Sequence, residues 1–496
     1  MTAARATLDA VTEPGRPLAP EPALSAGDLL AATGGRLIRR SDRRVRGAAV
    51  DSRLVEPGNL FVALPGERTD GHRFLAAAVA AGAAAILISR GPDPDTGEPA
   101  HDTLGDVTLI EVPDTLVALH AVAAAWRRRF SPLVVGITGS IAKTSTKEAV
   151  AGVLAQRFET LKTEGNQNNE VGMPLTVLRL GPEHEAAVLE MGMYVGGEIR
   201  GLAAIGRPSI GIVTAVQPVH LSRIGSIEAI EDAKAELVEA LPAAADGGVA
   251  ILNADDERVA RMAGRTRARV VTYGFAPGAD VTADGIMTAG FAGMRFRLRT
   301  PAGERETAIP SLGPLAVHNA LAATAAGLVA GMALDEILPG LAIASTAPHR
   351  SAIVRARGLT IVDDAYNASP GSMRAALDLL AGLPGRHVAV LGEMRELGDA
   401  HEAAHREIGA AASGLDLLVV VGGGPGGAAA GITDGALAAG MVPDRILVAR
   451  DAQDAVRLLR ASTTTGDVVL VKASRGVELE RVVDGLAAPA NAEPSS

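Results

Sequence analysis

The segment at residues 133–158 constrains the fold more than any other part of the chain. It begins with an apolar run at 133–135, continues through the loop Gly-Ile-Thr-Gly-Ser-Ile-Ala-Lys-Thr-Ser at 136–145, and ends in a helix-compatible stretch. A strand, a glycine-containing loop, a Lys-Thr pair and a helix in this order are the context of a phosphate-binding loop. Such a loop requires a buried strand that feeds a helix, so the segment predicts an α/β domain.

Apolar runs alternate with helix-like stretches along the rest of the chain, which is typical of βαβ units around parallel sheets. Phe, Tyr and Trp make up only 2% of the 496 residues. The cores must therefore consist of Ala, Val, Leu and Ile, which disfavours an all-β fold and favours parallel strands covered by helices. The runs lie at 133–137, 187–189, 211–213 and 249–252, and then at 360–362, 387–391, 417–421, 446–448 and 468–471.

Composition and apolar pattern together predict four segments. Residues 1–22 are rich in Pro, Ala and Glu and are predicted to be a flexible tail. A first α/β domain is predicted at 23–130 and a second, which carries the phosphate loop, at 131–347. The five runs after residue 348 predict a Rossmann-like third domain at 348–490.

Charge and residue usage exclude several classes of protein. The net charge is −10, and the basic cluster of three arginines at 127–129 is interpreted as a solvated helix end, so no nucleic-acid partner is expected. The absence of cysteine excludes disulfides and thiolate metal sites. The first 22 residues contain no apolar core of a signal peptide. The apolar stretch at 74–89 is too short to span a bilayer. We therefore expect a cytoplasmic protein without membrane insertion.

The loop predicts nucleotide binding by a defined set of groups. Its backbone N–H groups would surround the phosphates, the Lys143 amine would neutralise the β and γ oxygens, and the Thr144 hydroxyl would bind Mg²⁺. The cofactor-binding residues predicted from the loop are Gly139, Ser140, Ile141, Ala142, Lys143, Thr144 and Ser145.

Ala142 stands where such loops usually have glycine before the lysine. If the backbone there needs a glycine-type dihedral, or if the Cβ crowds a phosphate, alanine costs about 0.5–1 kcal/mol. If the residue is helical and its Cβ points away, alanine is harmless. The sequence does not decide between these alternatives, and we predict nucleotide binding that is weakened but retained.

Three residues downstream of the loop are candidates for the metal site. Glu190 ends an apolar run, His220 follows another strand, and Lys234 lies in a stretch with helical periodicity. Each one taken alone is better explained as a strand-end carboxylate, a surface histidine or a solvated helix lysine. Their order after the loop is what makes them informative.

In that order, the chain resembles the Mur ligases from about residue 51 to 486. The matching motifs in the first domain are Asp-Ser-Arg at 51–53, 57–66 and Asp-Gly-His at 70–72. The second domain adds the motif Gly-Asn-Gln-Asn-Asn-Glu-Val-Gly-Met-Pro at 165–174, Glu-Met-Gly at 190–192, His220, and the motif Ala-Lys-Ala-Glu at 233–236. The third domain adds Asp-Asp-Ala-Tyr-Asn-Ala-Ser-Pro-Gly-Ser-Met at 363–373, then 391–398, His405 and Lys-Ala-Ser-Arg at 472–475.

The resemblance implies a fold and a reaction. The fold is a three-domain α/β architecture with a small N-terminal domain, a central P-loop ATPase-like domain and a C-terminal Rossmann-like domain. The motif at 363–373 is similar to that of the members that join D-alanyl-D-alanine to UDP-N-acetylmuramoyl-tripeptide through an acyl phosphate, with release of ADP and phosphate. ATP and two Mg²⁺ ions are the implied cofactors, and a monomer is expected.

The resemblance also implies roles for individual residues. It assigns catalysis to Lys143, Glu190, His220, Lys234 and Arg350, with the Lys234 amine carbamylated. The metal ligands would be Thr144, Glu190, His220 and Lys234. Arg350, Asn319 and Asp364 would contact ATP. The implied substrate-binding residues are Ser52, Arg53, Asp70, His72, Asn168, Asn169, Tyr366, Asn367, Ser474 and Arg475.

Two departures from the family pattern leave alternatives open. The first departure is Ala142. The second is Leu315-Ala316, which stands where the family usually has a His-Asn pair before the Asn of its adenine site. His318, beside Asn319, is either a partial substitute for that pair or a plain helix-face histidine. One alternative is a family member that adds a single amino acid, or a folylpolyglutamate synthase-like ligase. Another is a nucleotide-binding homologue with impaired catalysis.

Overall fold

A computed structural model of the chain describes residues 22–66, 69–93, 98, 100–218, 224–343 and 348–488. The predicted tail therefore lies outside the described residues except for Pro22, and so does His220. The described residues up to Ala118, together with Gly181–Glu183, form one compact unit, and the others form a second unit.

The first unit contains one five-stranded sheet in the order β1-β5-β4-β3-β2. All neighbouring strands are parallel except β1, which pairs antiparallel with β5. The central strands are buried on both faces, as the apolar run at 84–88 predicts. In chain order the elements are α1 (Ala26–Thr33), β1 (Arg36–Arg39), β2 (Ala48–Ala49), β3 (Leu60–Val62), α2 (Leu75–Ala80), β4 (Ala85–Ile88) and β5 (Thr108–Glu111), followed by α3 (Thr115–Arg127).

The second unit begins with a six-stranded, all-parallel sheet in the order β11-β10-β9-β6-β8-β7. The strand before the phosphate loop, β6, lies in the middle, between β8 and β9. Its elements are β6 (Leu133–Thr138), α4 (Lys143–Leu154), β7 (Thr160–Lys162), α5 (Gly172–Val177), β8 (Ala186–Glu190), α6 (Glu198–Gly206), β9 (Ile210–Val213), α7 (Ile227–Glu239), β10 (Val249–Asn253), α8 (Glu257–Arg261) and β11 (Arg269–Tyr273).

A three-stranded antiparallel sheet follows, which the apolar runs did not predict. Its strands are β12 (Thr282–Thr288), β13 (Met294–Thr300) and β14 (Gly303–Ile309). In β13 the buried Met294, Phe296 and Leu298 alternate with exposed arginines. The sequence of this strand therefore has the alternation typical of a half-buried strand but no continuous apolar run. Two helices, α9 (Pro314–Val329) and α10 (Leu334–Ile343), pack against α4.

The last part of the chain forms a six-stranded sheet in the order β15-β16-β20-β17-β18-β19. The five predicted runs become its parallel strands, and β15 adds an antiparallel edge next to β16. The elements are β15 (Ala352–Ala356), β16 (Leu359–Asp363), α11 (Pro370–Ala381), β17 (His387–Leu391), α12 (His401–Ala411), β18 (Leu417–Val421), α13 (Ala430–Ala438), β19 (Ile446–Ala449), α14 (Ala452–Ser462), β20 (Val468–Lys472) and α15 (Glu480–Ala487).

Membrane crossing can be assessed for the helices of the described residues. None of these helices is both long enough and apolar enough to cross a bilayer.

Candidate active site

The phosphate loop joins β6 to α4, as the sequence predicts. Gly139 adopts φ +151°, and a Cβ built there would overlap the Thr214 hydroxyl, so glycine is required. Ala142 adopts φ +65° and ψ −2°, which is the left-handed region. Of the two alternatives for Ala142, the structure therefore has the glycine-type backbone, at which an L-residue is strained.

Lys143 begins α4 and folds back over the loop. Its Nζ donates to Gly139 O at 2.7 Å. Removal from water lowers the pKa of this amine, and the nearby Arg350 guanidinium lowers it further against the opposing effect of Glu190. Thr144 is buried next in the helix and its hydroxyl donates to Glu190 Oε1 at 3.1 Å.

Glu190 is the fully buried last residue of β8 and has an incompletely satisfied carboxylate. Oε1 accepts from Thr144 and from Asn168 Nδ2, the latter at 2.6 Å. Oε2 is buried and has no hydrogen-bond partner in the described part of the chain, and the Lys147 amine lies 3.9 Å from it. An orphaned anionic oxygen beside a threonine hydroxyl fits a hard cation such as Mg²⁺.

Lys234 lies on α7 and is buried. Its amine makes no hydrogen bond or salt bridge with any described residue. Burial and the neighbouring Lys143 hold the pKa of this amine well below its ordinary value. His220 lies outside the described residues, and within them no cluster of three His, Asp or Glu side chains could hold a metal by itself.

Lys147 is a buried cation that the sequence analysis did not single out. It lies one helical turn after Lys143 on α4 and is fully shielded from solvent. Its Nζ donates to Thr163 O at 2.6 Å and to Gly165 O at 3.2 Å, and it lies 3.1 Å from Glu148 Oε1. The sequence feature that could have drawn attention to Lys147 is its i, i+4 spacing from Lys143, which puts both lysines on the same face of the helix.

The Asn-rich loop after β7 faces the same carboxylate. Asn168 donates to Glu190, and its carbonyl oxygen accepts from Gly192 N at 2.8 Å. Asn169 Oδ1 accepts from Gly172 N at 2.9 Å at the start of α5, so this side chain also orders the loop.

A second group of predicted residues lies at the carboxyl ends of β16 and β20. Asp364 Oδ2 pairs with the buried Lys472 Nζ at 2.6 Å, and the same amine donates to Asn367 O at 2.9 Å. Lys472 belongs to a matched motif but was not assigned a role from the sequence. Ser474 Oγ accepts from Arg395 N at 2.9 Å.

Two arginines share one aromatic ring in this group. The guanidinium carbons of Arg350 and Arg475 lie 4.0 and 4.9 Å from the centroid of the Tyr366 ring, within range of cation–π attraction. No carboxylate pairs with either arginine in the part of the chain that the structure describes, and Arg350 Nε is buried without a hydrogen-bond partner.

Both groups line one cavity of about 550 Å³ in the second unit. It brings together the phosphate loop, Glu190 and the two asparagines on one side and the arginine–tyrosine group on the other. The predicted residues on its wall are Ser140, Ile141, Ala142, Lys143, Thr144, Ser145, Asn168, Asn169, Glu190, Asn319, Arg350, Asp364, Tyr366, Asn367, Ser474 and Arg475. Neither Gly139 nor Lys234 lines it.

A second cavity of about 510 Å³ lies beside the phosphate loop and contains His318. The His318 Nε2 atom lies 3.2 Å from Asp255 Oδ2, its ring packs on Phe275 at 4.3 Å between centroids, and burial lowers its pKa. Asn319 accepts from Thr146 Oγ1 at 2.9 Å, and Leu315 is partly exposed in both cavities.

The four predicted substrate residues of the first unit form two local networks. Arg53 is exposed beside Ser52 and pairs with Asp51 through Nε at 2.9 Å. His72 is buried, with Nδ1 2.6 Å from Asp70 Oδ1 and Nε2 accepting from Ser89 N. Both ring nitrogens of His72 are therefore engaged by residues of the first unit.

The fold and this site define a class: an α/β protein with a P-loop nucleotide site facing a Rossmann-like domain. Comparison with protein-family models supports this class and identifies the family within it. Mur ligase family, catalytic domain matches residues 44–127, Mur ligase middle domain matches 137–327, and Mur ligase, glutamate ligase domain matches 349–475. The chain belongs to the Mur ligase family and has its three-domain α/β architecture.

Individual relatives agree with this assignment. The chain is 40% identical over 479 residues to UDP-N-acetylmuramoyl-tripeptide–D-alanyl-D-alanine ligase of Mycobacterium tuberculosis, covering 90% of this chain and 93% of that one. MurF from Acinetobacter baumannii has a TM-score of 0.83 at 30% identity, covering 95% and 100%. MurF from Thermotoga maritima, solved in complex with ADP, has a TM-score of 0.76 at 28% identity, covering 89% and 97%.

Proposed function

We propose that this chain is an ATP-dependent ligase that joins D-alanyl-D-alanine to the terminal carboxylate of UDP-N-acetylmuramoyl-tripeptide. The observation that carries the proposal is the single cavity with the phosphate loop on one wall and the arginine–tyrosine group on the other. Relatives similar over nine-tenths of the chain bear the name of this ligase, which does not favour a ligase for single amino acids.

The reaction requires activation because a carboxylate in water is a poor electrophile. The tripeptide carboxylate would attack the γ-phosphorus of ATP, giving an acyl phosphate and ADP, and the dipeptide amine would then displace phosphate. Lys143 would neutralise phosphate oxygens, and Arg350, which has no carboxylate partner among the described residues, would add a second positive charge. Positioning and charge neutralisation dominate such phosphoryl transfers.

Mg²⁺ fits the orphaned oxygen of Glu190, with Thr144 as a second ligand and His220 and Lys234 as further ligands for a second ion. Bound Mg²⁺ supplies neutralisation of the ATP phosphate charge. An ammonium cannot ligate a cation, so Lys234 takes part only as a carbamate. Because carbamylation by CO₂ needs a neutral amine, the lowered pKa of Lys234 supports it.

The arginine–tyrosine group supports binding of the dipeptide. D-Alanyl-D-alanine has a free carboxylate, and Arg475 is a cation without a carboxylate partner in the described residues. Tyr366, Asn367 and Ser474 lie beside it and would place the amine. Asp364 would bind the ATP ribose, and Asn319 would contact the adenine.

The remaining assignments follow the three predicted domains. Residues 23–130 would hold the UDP end of the substrate through Ser52, Arg53 and Asp70, with His72 orienting Asp70. Residues 131–347 would bind ATP, and 348–490 the dipeptide. We further propose that the enzyme is monomeric and cytoplasmic.

Phosphate release from ATP tests this function. The enzyme is given UDP-N-acetylmuramoyl-tripeptide with D-alanyl-D-alanine, with single amino acids, or with no acceptor. We expect release only with the dipeptide. Release with a single amino acid would identify a ligase that adds single amino acids. Nucleotide binding without phosphate release would identify a homologue with impaired catalysis.

A further inference from the structure

Arg350 lies between two residues with an uncommon backbone conformation. His349 adopts φ +59° and Ser351 adopts φ +54°, both in the left-handed region. A non-glycine residue is strained there, and such strain persists only where surrounding contacts enforce it. We call residues 349–351 the arginine strap.

Three hydrogen bonds enforce this conformation. His349 Nδ1 lies 2.8 Å from Oδ2 of the buried Asp363, and Tyr366 N donates to His349 O at 3.0 Å. Ser351 N donates to Asp364 Oδ1, also at 3.0 Å. The pairing of β15 with β16 explains these contacts, because Ala352 lies opposite Asp363 and the strap continues along the same edge.

The strap contains Arg350, whose side chain reaches the wall of the nucleotide cavity. Arg350 has no carboxylate partner among the described residues, and its guanidinium rests 4.0 Å from the Tyr366 ring at the wall of the nucleotide cavity. Without a salt bridge to fix it, the position of this cation depends on the backbone on either side and on the ring beneath it. The backbone on its amino side is fixed through the His349 side chain.

We propose that His349, held by Asp363, is a positioning residue that aims Arg350 into the nucleotide cavity at the terminal phosphate of ATP. This rests on the proposed function of Arg350. His349 touches no reacting atom and acts through the arginine. A glycine at this position would accept the backbone angle, yet it would release the strap from Asp363.

Two substitutions separate the backbone angle from the side-chain contact. His349→Gly tolerates a positive φ but removes the imidazole. His349→Asn also tolerates the left-handed region and keeps a nitrogen donor near the position of Nδ1. We measure kcat, the KM for each substrate, and the affinities for ADP and for the non-hydrolysable ATP analogue AMPPNP, each with Mg²⁺.

We expect His349→Gly to lower kcat and AMPPNP affinity about fivefold to tenfold, since a charge-assisted hydrogen bond to phosphate is weakened. ADP affinity and the KM for D-alanyl-D-alanine should change less than about twofold, because neither ligand has a γ-phosphate. His349→Asn should retain near wild-type values. In an Arg350→Ala background, His349→Gly should cause no further loss, because a positioning residue cannot act without the residue it positions.

Arg357 provides a matched control. It has φ +55° in the exposed two-residue turn between β15 and β16 and lies outside the cavity. Arg357→Gly and Arg357→Asn should leave kcat and AMPPNP affinity unchanged, and thermal midpoints verify that every variant is folded.

The proposal is overturned if His349→Gly has no effect, if its effect persists in the Arg350→Ala background, or if His349→Asn is equally impaired. If the wild-type enzyme releases no phosphate with any acceptor, the proposed function fails. The comparison of AMPPNP with ADP then still decides the role of His349.

Discussion

At the residue scale, backbone conformation is what the structure adds to the phosphate loop. The sequence identified the loop from its order of residue types, but it left two conformations open for Ala142. The observed φ of +65° is a property of the folded loop between β6 and α4, which must reverse direction within four residues. The strain at Ala142 is present before any nucleotide binds, so it acts on folding, whereas a Cβ that crowds a phosphate would act on binding.

Replacing Ala142 with glycine should therefore stabilise the protein. We expect Ala142→Gly to raise the free energy of unfolding by about 0.5–1 kcal/mol and ATP affinity by about twofold to fivefold. Chemical denaturation and calorimetric titration measure the two effects. Ala155→Gly is the control, because Ala155 is exposed at the end of α4 with φ −64° and should gain nothing. Unchanged ATP affinity would show that the Ala142 side chain does not impair nucleotide binding.

Lys234 permits a second test at this scale. We expect Lys234→Ala to lose at least about 100-fold in kcat, and added acetate or formate to restore part of it, because a small carboxylate replaces the carbamate oxygens. Phosphate release is measured with and without these anions. Lys162→Ala, a half-exposed lysine on β7, should need no rescue. Full activity of Lys234→Ala would refute the carbamate.

At the element scale, Lys147 connects three elements of the nucleotide site. It reaches from α4 to the loop after β7 and to Glu190 at the end of β8. The sequence predicted each of these elements separately from its apolar run or loop motif. It did not predict their junction, since the buried position of Lys147 depends on strands that are brought together by the sheet order β6-β8-β7.

Removal of this cation should destabilise the second unit. Lys147→Met leaves Glu190 and Glu148 without a buried counter-charge, and we expect a loss of about 3–5 kcal/mol in the free energy of unfolding. Lys162→Met is the matched control: Lys162 pairs with the same Glu148 but is 36% exposed, so about 1 kcal/mol or less is expected. Urea denaturation compares the two variants. Equal losses would contradict a special role for Lys147.

At the scale of the whole molecule, each of the two compact units has its own core. The nucleotide cavity is lined by residues of the second unit alone. A ligand that binds only one folded unit stabilises that unit by mass action.

Calorimetry should therefore resolve two unfolding transitions, of which ADP with Mg²⁺ shifts one. At 100 times its dissociation constant, ADP should add about 2.7 kcal/mol and raise that midpoint by about 3–6 °C. Lys143→Ala should abolish the shift, because the amine over the phosphate loop is lost. A single transition that moves as a whole would contradict independent unfolding.

The sequence by itself determined the parallel α/β fold, the phosphate loop and the family. It could do so because strand runs, helix periodicity and a loop between them are local patterns along the chain. Only the tertiary structure decided the left-handed backbone at Ala142, the burial of Lys147 and the contact of His349 with Asp363. These depend on groups distant in the sequence or on the backbone path between packed elements, which residue types alone do not specify.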